Sequence, residues 1–275
     1  MHRLLSSWVV IVASLCLVLV GCSRKEESAR QEDAPKTAPS AVAATATGSA
    51  VESVGSAAHD PAHPPIDCPL RKQGLDPAHM RPFGEVDEYI EFLERPDRAV
   101  WQKPDEVVQA LALRGNEVVF DLGAGSGYFS FRFAAVLPSG KVIAADTEGE
   151  MIRHIHHRAM TEGVQNVEVK LIKPSDPEVD TRADLVFICD VLHHVTDRPS
   201  WLTKLASAMK SGARLVLIEF REGNLPEGPP EGAKIPRAEL VSLAEGAGLV
   251  LAKEHEGLLP YQVFLEFRKT GPGLR

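Results

Sequence analysis

From residue 84 onward the apolar positions alternate between two periods. Short runs biased to β-branched residues, at 118–120, 141–145, 166–172, 183–189 and 214–220, read as buried parallel strands. Around them apolar residues recur at helical spacing: Val86, Tyr89, Ile90 and Leu93; Val107, Ala110 and Leu111; Phe129, Phe133 and Val136; Met151, Ile152, Ile155 and Ala159; Leu202, Leu205, Ala206 and Met209. Pro96 is expected to end the first helix. Pro104, with Asp105 and Glu106 in its first turn, suits the start of the second. Residues 238–248 read as a further helix, and 249–254 and 261–267 as two strands separated by Gly257 and Pro260. Strands joined so closely run antiparallel. The order of elements predicts an α/β domain built on a mostly parallel sheet of seven strands, the last one reversed.

The pattern before residue 84 is different. His2 and Arg3 precede an apolar run at 8–20, short for a membrane span but the length of a signal-peptide core. Leu19-Val20-Gly21-Cys22 follows and resembles a bacterial lipobox. That resemblance implies that Cys22 carries lipid and holds an exported protein to a membrane of the cell envelope. An ordinary signal peptide or an anchor helix are the alternatives. Residues 23–80 open with a long stretch rich in Ala, Ser, Thr, Pro and Glu, without an aromatic residue up to position 65. Such a stretch cannot bury enough apolar surface to offset its ordering entropy, so it reads as a tether. Residues 81–275 remain as one domain with a substantial core.

The richest stretch for chemistry is residues 117–132, EVVFDLGAGSGYFSFR. A strand ends at Asp121, a turn of Gly123, Ala124, Gly125, Ser126 and Gly127 follows, and a helix begins. Glycines let the backbone approach a ligand closely, and the helix start presents free N–H groups. The dinucleotide fingerprint G-x-G-x-x-G is broken, because Tyr128 stands at its third glycine. The pattern D-x-G-x-G-x-G resembles instead motif I of the class I S-adenosylmethionine (SAM) dependent methyltransferases. The resemblance covers about residues 84–269 and implies a Rossmann-like three-layer sandwich, SAM as cofactor, and Asp121 facing the amino group of its methionine part. A tight turn without a ligand is the alternative.

Later strand ends extend the resemblance. Asp146 follows the glycine turn by about twenty residues, where an acid takes ribose hydroxyls in nucleotide-binding βαβ units. A carboxylate accepts two hydrogen bonds from a vicinal diol; the alternative for Asp146 is a helix cap. With Thr147 it opens a segment, ADTEGEM, similar to the family's second motif. After the third strand the family often carries an acid that reaches the adenine. Here Lys173-Pro174-Ser175-Asp176-Pro177 departs from that pattern and leaves Ser175 or Asp176 for the role. The stretch ICDVLHHV, at 188–195, resembles the family's fourth motif. Asp190, His193 and His194 are therefore the polar candidates beside the substrate, with a histidine able to take a proton near neutral pH or, alternatively, to cap loop backbone. Trp101, Gln102 and Lys103 would lie near the pocket mouth, or Trp101 merely packs. The loop at 223–236, rich in Pro and Gly, reads as a substrate-side insertion.

Composition narrows the partners. A formal net charge of −8 and no basic stripe argue against nucleic acid. Four cysteines provide no C-x-x-C pair: Cys16 and Cys22 belong to the leader, Cys189 to a strand, and Cys68 precedes the fold, so neither a disulfide framework nor a metalloid site is expected. His154, His156 and His157 read as a solvated helix face rather than a metal site. The sequence thus predicts an exported, lipid-anchored SAM-dependent methyltransferase acting on a small neutral or apolar molecule. Since SAM is made in the cytoplasm, the alternative is a methyltransferase-fold protein that binds SAM or another nucleoside without catalysis.

Overall fold

The computed structural model describes residues 69–75 and 83–269. All of these belong to one compact unit, Gly55–Arg275. Cys22, Cys68, the leader and most of the expected tether lie outside the described residues. Among the described residues no helix is long and apolar enough to cross a membrane.

Seven strands form one sheet: β1 (Val118–Leu122), β2 (Lys141–Asp146), β3 (Val167–Leu171), β4 (Leu185–Cys189), β5 (Arg214–Phe220), β6 (Leu249–Glu254) and β7 (Gln262–Lys269). Their order across the sheet is β3-β2-β1-β4-β5-β7-β6. The first five are parallel, and β7 runs antiparallel between β5 and β6. The expected fold class is the one observed. The insertion of β7 between β5 and β6 is what the sequence pattern could not specify.

Along each central strand the side chains alternate between two cores. Phe120, Val186, Ile188, Leu215 and Leu217 face helices α7 (Arg198–Ala208) and α8 (Arg237–Gly246). Val119, Leu185, Phe187, Val216 and Ile218 face α4 (Pro104–Ala110) and α5 (Ser130–Val136). Burial on both faces is why these strands read as continuous apolar runs. Helix α6 (Gly149–Glu162) covers β2 and β3, burying Met151, Ile152, Ile155 and Ala159 as expected.

Several boundaries and faces differ from expectation. β1 continues through Asp121 to Leu122, so the acid is inside the strand rather than at its end. The helix before Pro96 is α2 (Phe83–Leu93), and α3 (Arg98–Gln102) follows separately. Tyr89 and Val136, which fit the helical spacing of apolar positions, are 55% and 43% exposed. Both helices are short, so a 3.6-residue period leaves room for one error in each face. The segment at 69–75, assigned to the tether by composition, is folded. It includes α1 (Pro69–Lys72), Leu70 packs on Ile152, and the Gln73 amide bonds the β3 backbone at Val169 O (3.0 Å) and Leu171 N (2.5 Å). One side chain thus supplies the partner that an edge strand lacks, a role with no periodic signature.

The core of the α4/α5 face is aromatic: Phe187 lies 4.8 Å from Phe129 and 4.9 Å from Phe133, ring centre to ring centre. Phe187→Ala should therefore lower unfolding free energy by about 3–5 kcal/mol, whereas Val136→Ser should change it by less than about 0.5 kcal/mol. Urea melts of both variants check this, and equal effects would contradict the packing described.

Candidate functional site

The chain runs outward from β1 through β2 to β3, then returns to the other side of β1 for β4 and β5. The loops after β1 and β4 therefore diverge, which opens a crevice at the carboxyl ends of the strands. A cavity of about 1020 Å³ fills that crevice. That volume lies at the upper end of the ~300–1,000 Å³ typical of ligand pockets. On the β1–β3 half its wall includes Gly123, Ala124, Gly125, Ser126, Asp146 and Thr147, with Ile172 and Ser175 beyond. On the β4–β5 half it includes Asp190, Val191, His193, His194 and Phe220, with Pro226 to Pro229 above.

The glycine turn is shaped by close contact. At Gly123 (φ +75°) an added Cβ would come within 2.3 Å of Val191 Cγ2, so the two loops meet where only glycine fits. Gly127 (φ +84°) is excluded from side chains by Phe131 and Ile155 and does not line the cavity. Its surroundings are those of helix packing. The N–H of Gly125 donates to Asp146 Oδ2 (2.8 Å), and that of Glu148 donates to Oδ1 (2.9 Å). Asp146 therefore ties the ends of β1 and β2 together, while each carboxylate oxygen keeps capacity for a further bond. Burial raises its pKa against these backbone bonds.

Asp176 accepts from its own loop, Glu178 N at 3.0 Å, and is absent from the cavity wall, whereas Ser175 is on it. The prolines on both sides turn the segment back on itself through a bridge between Lys173 and Asp176.

Asp121 is 3% exposed and accepts from Ser130 Oγ at 2.5 Å. Burial pushes its carboxyl up to about 7 despite that bond; nearby Asp146 adds to the rise and Arg98 opposes it. Asp190 has φ +59°, which aims the chain after β4 away from the sheet. Its carboxylate accepts from Gln262 Nε2 at 2.7 and 2.8 Å and from Gln102 Nε2 at 3.1 Å. Burial and the Glu219 charge raise its pKa. Gln102, expected at the mouth, is instead fully buried and does not line the cavity; it links α3 to β4 and β7.

His193 and His194 are adjacent, with ring centres 4.0 Å apart. Glu219 organises them. Its Oε1 accepts from the N–H groups of Val191 (3.1 Å) and Leu192 (2.6 Å), and its Oε2 from His193 Nδ1 (2.8 Å). An ionised carboxylate only accepts, so the Nδ1 atom carries the proton and Nε2 is the nitrogen open to a ligand. Burial alone would lower the His193 pKa, but the Glu219 bond and charge hold it above the usual histidine value. That of His194 is lowered, by burial and then by His193. Glu219, 1% exposed, is the residue that sequence reasoning missed. A lone acid near the end of the apolar run RLVLIEF was the available signal.

Cys189 forms no disulfide among the described residues, and burial raises its thiol well above the usual value, as expected of an inert strand cysteine. His154 is half-buried, which lowers its pKa, and among the described residues no cluster fit for a metal exists.

Residues 113–248 match the family described as Methyltransferase domain. The chain is 31% identical over 140 residues to the ubiquinone/menaquinone biosynthesis C-methyltransferase UbiE of Pasteurella multocida (strain Pm70), covering 50% of this chain and 52% of that one. It spans about half the length of the curated relatives it matches. Among solved structures, a SAM-dependent methyltransferase from Aquifex aeolicus superposes with a TM-score of 0.62 at 24% identity, covering 66% of this chain and 98% of that one. Human N-acetylserotonin methyltransferase in complex with SAM superposes with a TM-score of 0.56 at 19% identity, covering 70% and 57%. At these identities the two structures establish the fold.

The state of Asp121 sets a pH dependence. Its folded pKa, about 7, lies above the ordinary 3.8, so the ligand-free fold holds more protons than the unfolded chain between those values. This stabilisation is complete below pH 4 and is lost as pH rises through about 7, by on the order of 4 kcal/mol at most. Asp121→Asn keeps an acceptor for Ser130 and should flatten that decline in melts from pH 4 to 8. An unchanged slope would show that Asp121 is ionised throughout.

Proposed function

We propose that this chain, whose residues 113–248 match the family described as Methyltransferase domain, transfers the methyl group of SAM to a small molecule bound over His193. The observation that carries the reading is the divided cavity. One half is a glycine turn with two buried carboxylates, and the other holds a histidine oriented by a buried glutamate.

The residues present suit the cofactor. Asp146 retains acceptor capacity for ribose hydroxyls, and Ser126 Oγ is a buried hydroxyl on the wall without a partner. Asp121 is a carboxylate whose burial lacks a bound cation, which the methionine ammonium would supply. Ile172 offers an apolar surface for the adenine, beside Ser175. Once bound, SAM supplies an electrophilic methyl group on a sulfonium leaving group. The protein's task is then to align the acceptor and exclude water. Glu219 fixes the His193 tautomer, so Nε2 takes the acceptor's proton as it becomes nucleophilic, and the Glu219 charge stabilises the resulting imidazolium. His194, with its lowered pKa, stays neutral and packs beside that ring.

Calorimetry with SAM and S-adenosylhomocysteine tests the reading. Asp146→Ala should weaken both at least tenfold, through loss of charge-assisted hydrogen bonds worth roughly 1.5–3 kcal/mol each. His193→Ala should keep that affinity and lose turnover by about 10²–10⁴-fold, with His194→Ala less affected. Normal turnover in both histidine variants would leave positioning alone as the catalytic device. Binding of SAM with no turnover of any acceptor would favour a non-catalytic binder.

The same reading includes an anchor. The lipobox-like Leu19-Val20-Gly21-Cys22 motivates a lipidated Cys22, with the domain held at a membrane of the cell envelope. Cys22→Ser should move the protein out of the membrane fraction or retain its leader; a variant that fractionates and migrates as the parent does refutes the anchor.

A further inference from the structure

Two segments far apart in sequence meet over the cavity. The end of α2 lies on the β1–β3 half: Leu93 Cδ1 stands 3.4 Å from where a Cβ on Gly125 would be, and Leu93 and Arg95 are on the wall. The loop at 223–236 lies on the β4–β5 half, with Pro226, Glu227 and Gly228 on the wall. Arg95 Nη2 pairs with Glu227 Oε2, and the two side chains are 22% and 29% exposed. A contact between facing walls of one cavity that solvent still reaches spans its opening. The two sides are held unequally. The loop is closed at its base, where Glu231 Oε1 accepts from Gly223 N (2.9 Å) and Lys234 Nζ donates to Gly223 O. Gly228 (φ +104°) is pressed onto the end of β5, since an added Cβ would come within 2.5 Å of Phe220 Cδ1. Helix α2 is held by less: Val86 and Ile90 reach a small apolar cluster with Met151, and Glu94 pairs with Arg158 (2.8 Å). An element with so few buried apolar contacts opens at low cost. Arg95 also has a second acid beside it, Asp97 Oδ1 at 3.3 Å from Nε, so release of Glu227 leaves no stranded charge.

We propose that the Arg95–Glu227 ion pair is a latch: when it breaks, α2 detaches from the cavity mouth, and its strength sets how fast ligands enter and leave. The device acts on whatever the cavity holds; only the choice of probe below rests on the cofactor reading above. A latch closes one path to traffic in both directions. It therefore changes entry and exit by the same factor and leaves affinity unchanged. A residue that touches the ligand acts mainly on exit, and so on affinity.

Surface plasmon resonance with S-adenosylhomocysteine, a zwitterion without net charge near neutral pH, measures both rates. Glu227→Gln should raise the association and dissociation rate constants together by about two- to fivefold, the range for a partly exposed ion pair, with Kd changed less than about twofold. Raising NaCl from about 0.05 to about 0.5 M screens the pair, so it should speed both rates in the wild type and add little in Glu227→Gln. Unchanged rates, or faster dissociation alone with weaker affinity, overturn the proposal. Amide hydrogen exchange gives a second readout that needs no ligand. At 11 residues α2 is marginal on its own, so detachment exposes its amides. Glu227→Gln should speed exchange in α2 by about the same two- to fivefold and leave that of β1 unchanged. Equal α2 exchange in the two proteins overturns the proposal. Failure of S-adenosylhomocysteine to bind either protein counts against the cofactor reading instead, and the exchange of α2 then decides the latch.

Discussion

The contact between Gly123 and Val191 is the constraint on which the site depends. It joins the turn after β1 to the loop after β4 at the one place where the two halves of the sheet diverge. A side chain at position 123 would separate those loops, and the carboxylates on either side would lose their common wall. The backbone geometry required there, φ +75°, and the lack of space act together. The remaining turn residues follow from this fixed point. Gly125 can then donate to Asp146, and the end of β1 is tied to that of β2.

Electrostatics is organised around acids that burial disfavours. Asp121, Asp146, Asp190 and Glu219 all face or underlie the same cavity. Each is held by a different device: a serine hydroxyl, backbone N–H groups, glutamine amides, and backbone with histidine. The difference in devices separates their tasks. Asp121, with one hydroxyl bond, rises to about 7 and is poised to gain from a bound cation. Glu219, with two N–H groups and an imidazole, does not line the cavity and reaches it only through His193. Arg98 is the counterweight. Its guanidinium lies over the Tyr128 ring at 4.1 Å and opposes the rise of both Asp121 and Asp190.

The mouth of the cavity is built differently from its floor. Tyr89 and Phe92 of α2 stack on each other and are more than half exposed at its rim. Across from them, Glu227 of the loop after β5 pairs with Arg95, which also lies over the Phe92 ring. The floor is locked by amide hydrogen bonds to Asp190. The rim relies on one ion pair and aromatic contact, interactions that contribute less per residue when solvent reaches them.

Local chemistry determined much of this in advance. Strands buried on both faces must be continuously apolar, so five of them were legible as runs, with 214–220 and 249–254 matching β5 and β6 to the residue. The glycine turn was legible because close approach and positive φ demand glycine, and Asp146 because its distance from that turn is set by one βαβ unit. Tertiary structure decided the rest. Gly127 and Asp176 carry the right residue types, but Phe131 and Ile155 surround one and a proline-bounded turn withdraws the other. Glu219, Gln102 and Gln262 belong to separate elements: the pairing of β5 with β4 and β7 brings Glu219 and Gln262 to His193 and Asp190, and the packing of α3 brings Gln102 to Asp190. Their functions reside in hydrogen bonds across 26 to 160 residues of sequence, and no local period or spacing encodes such a distance.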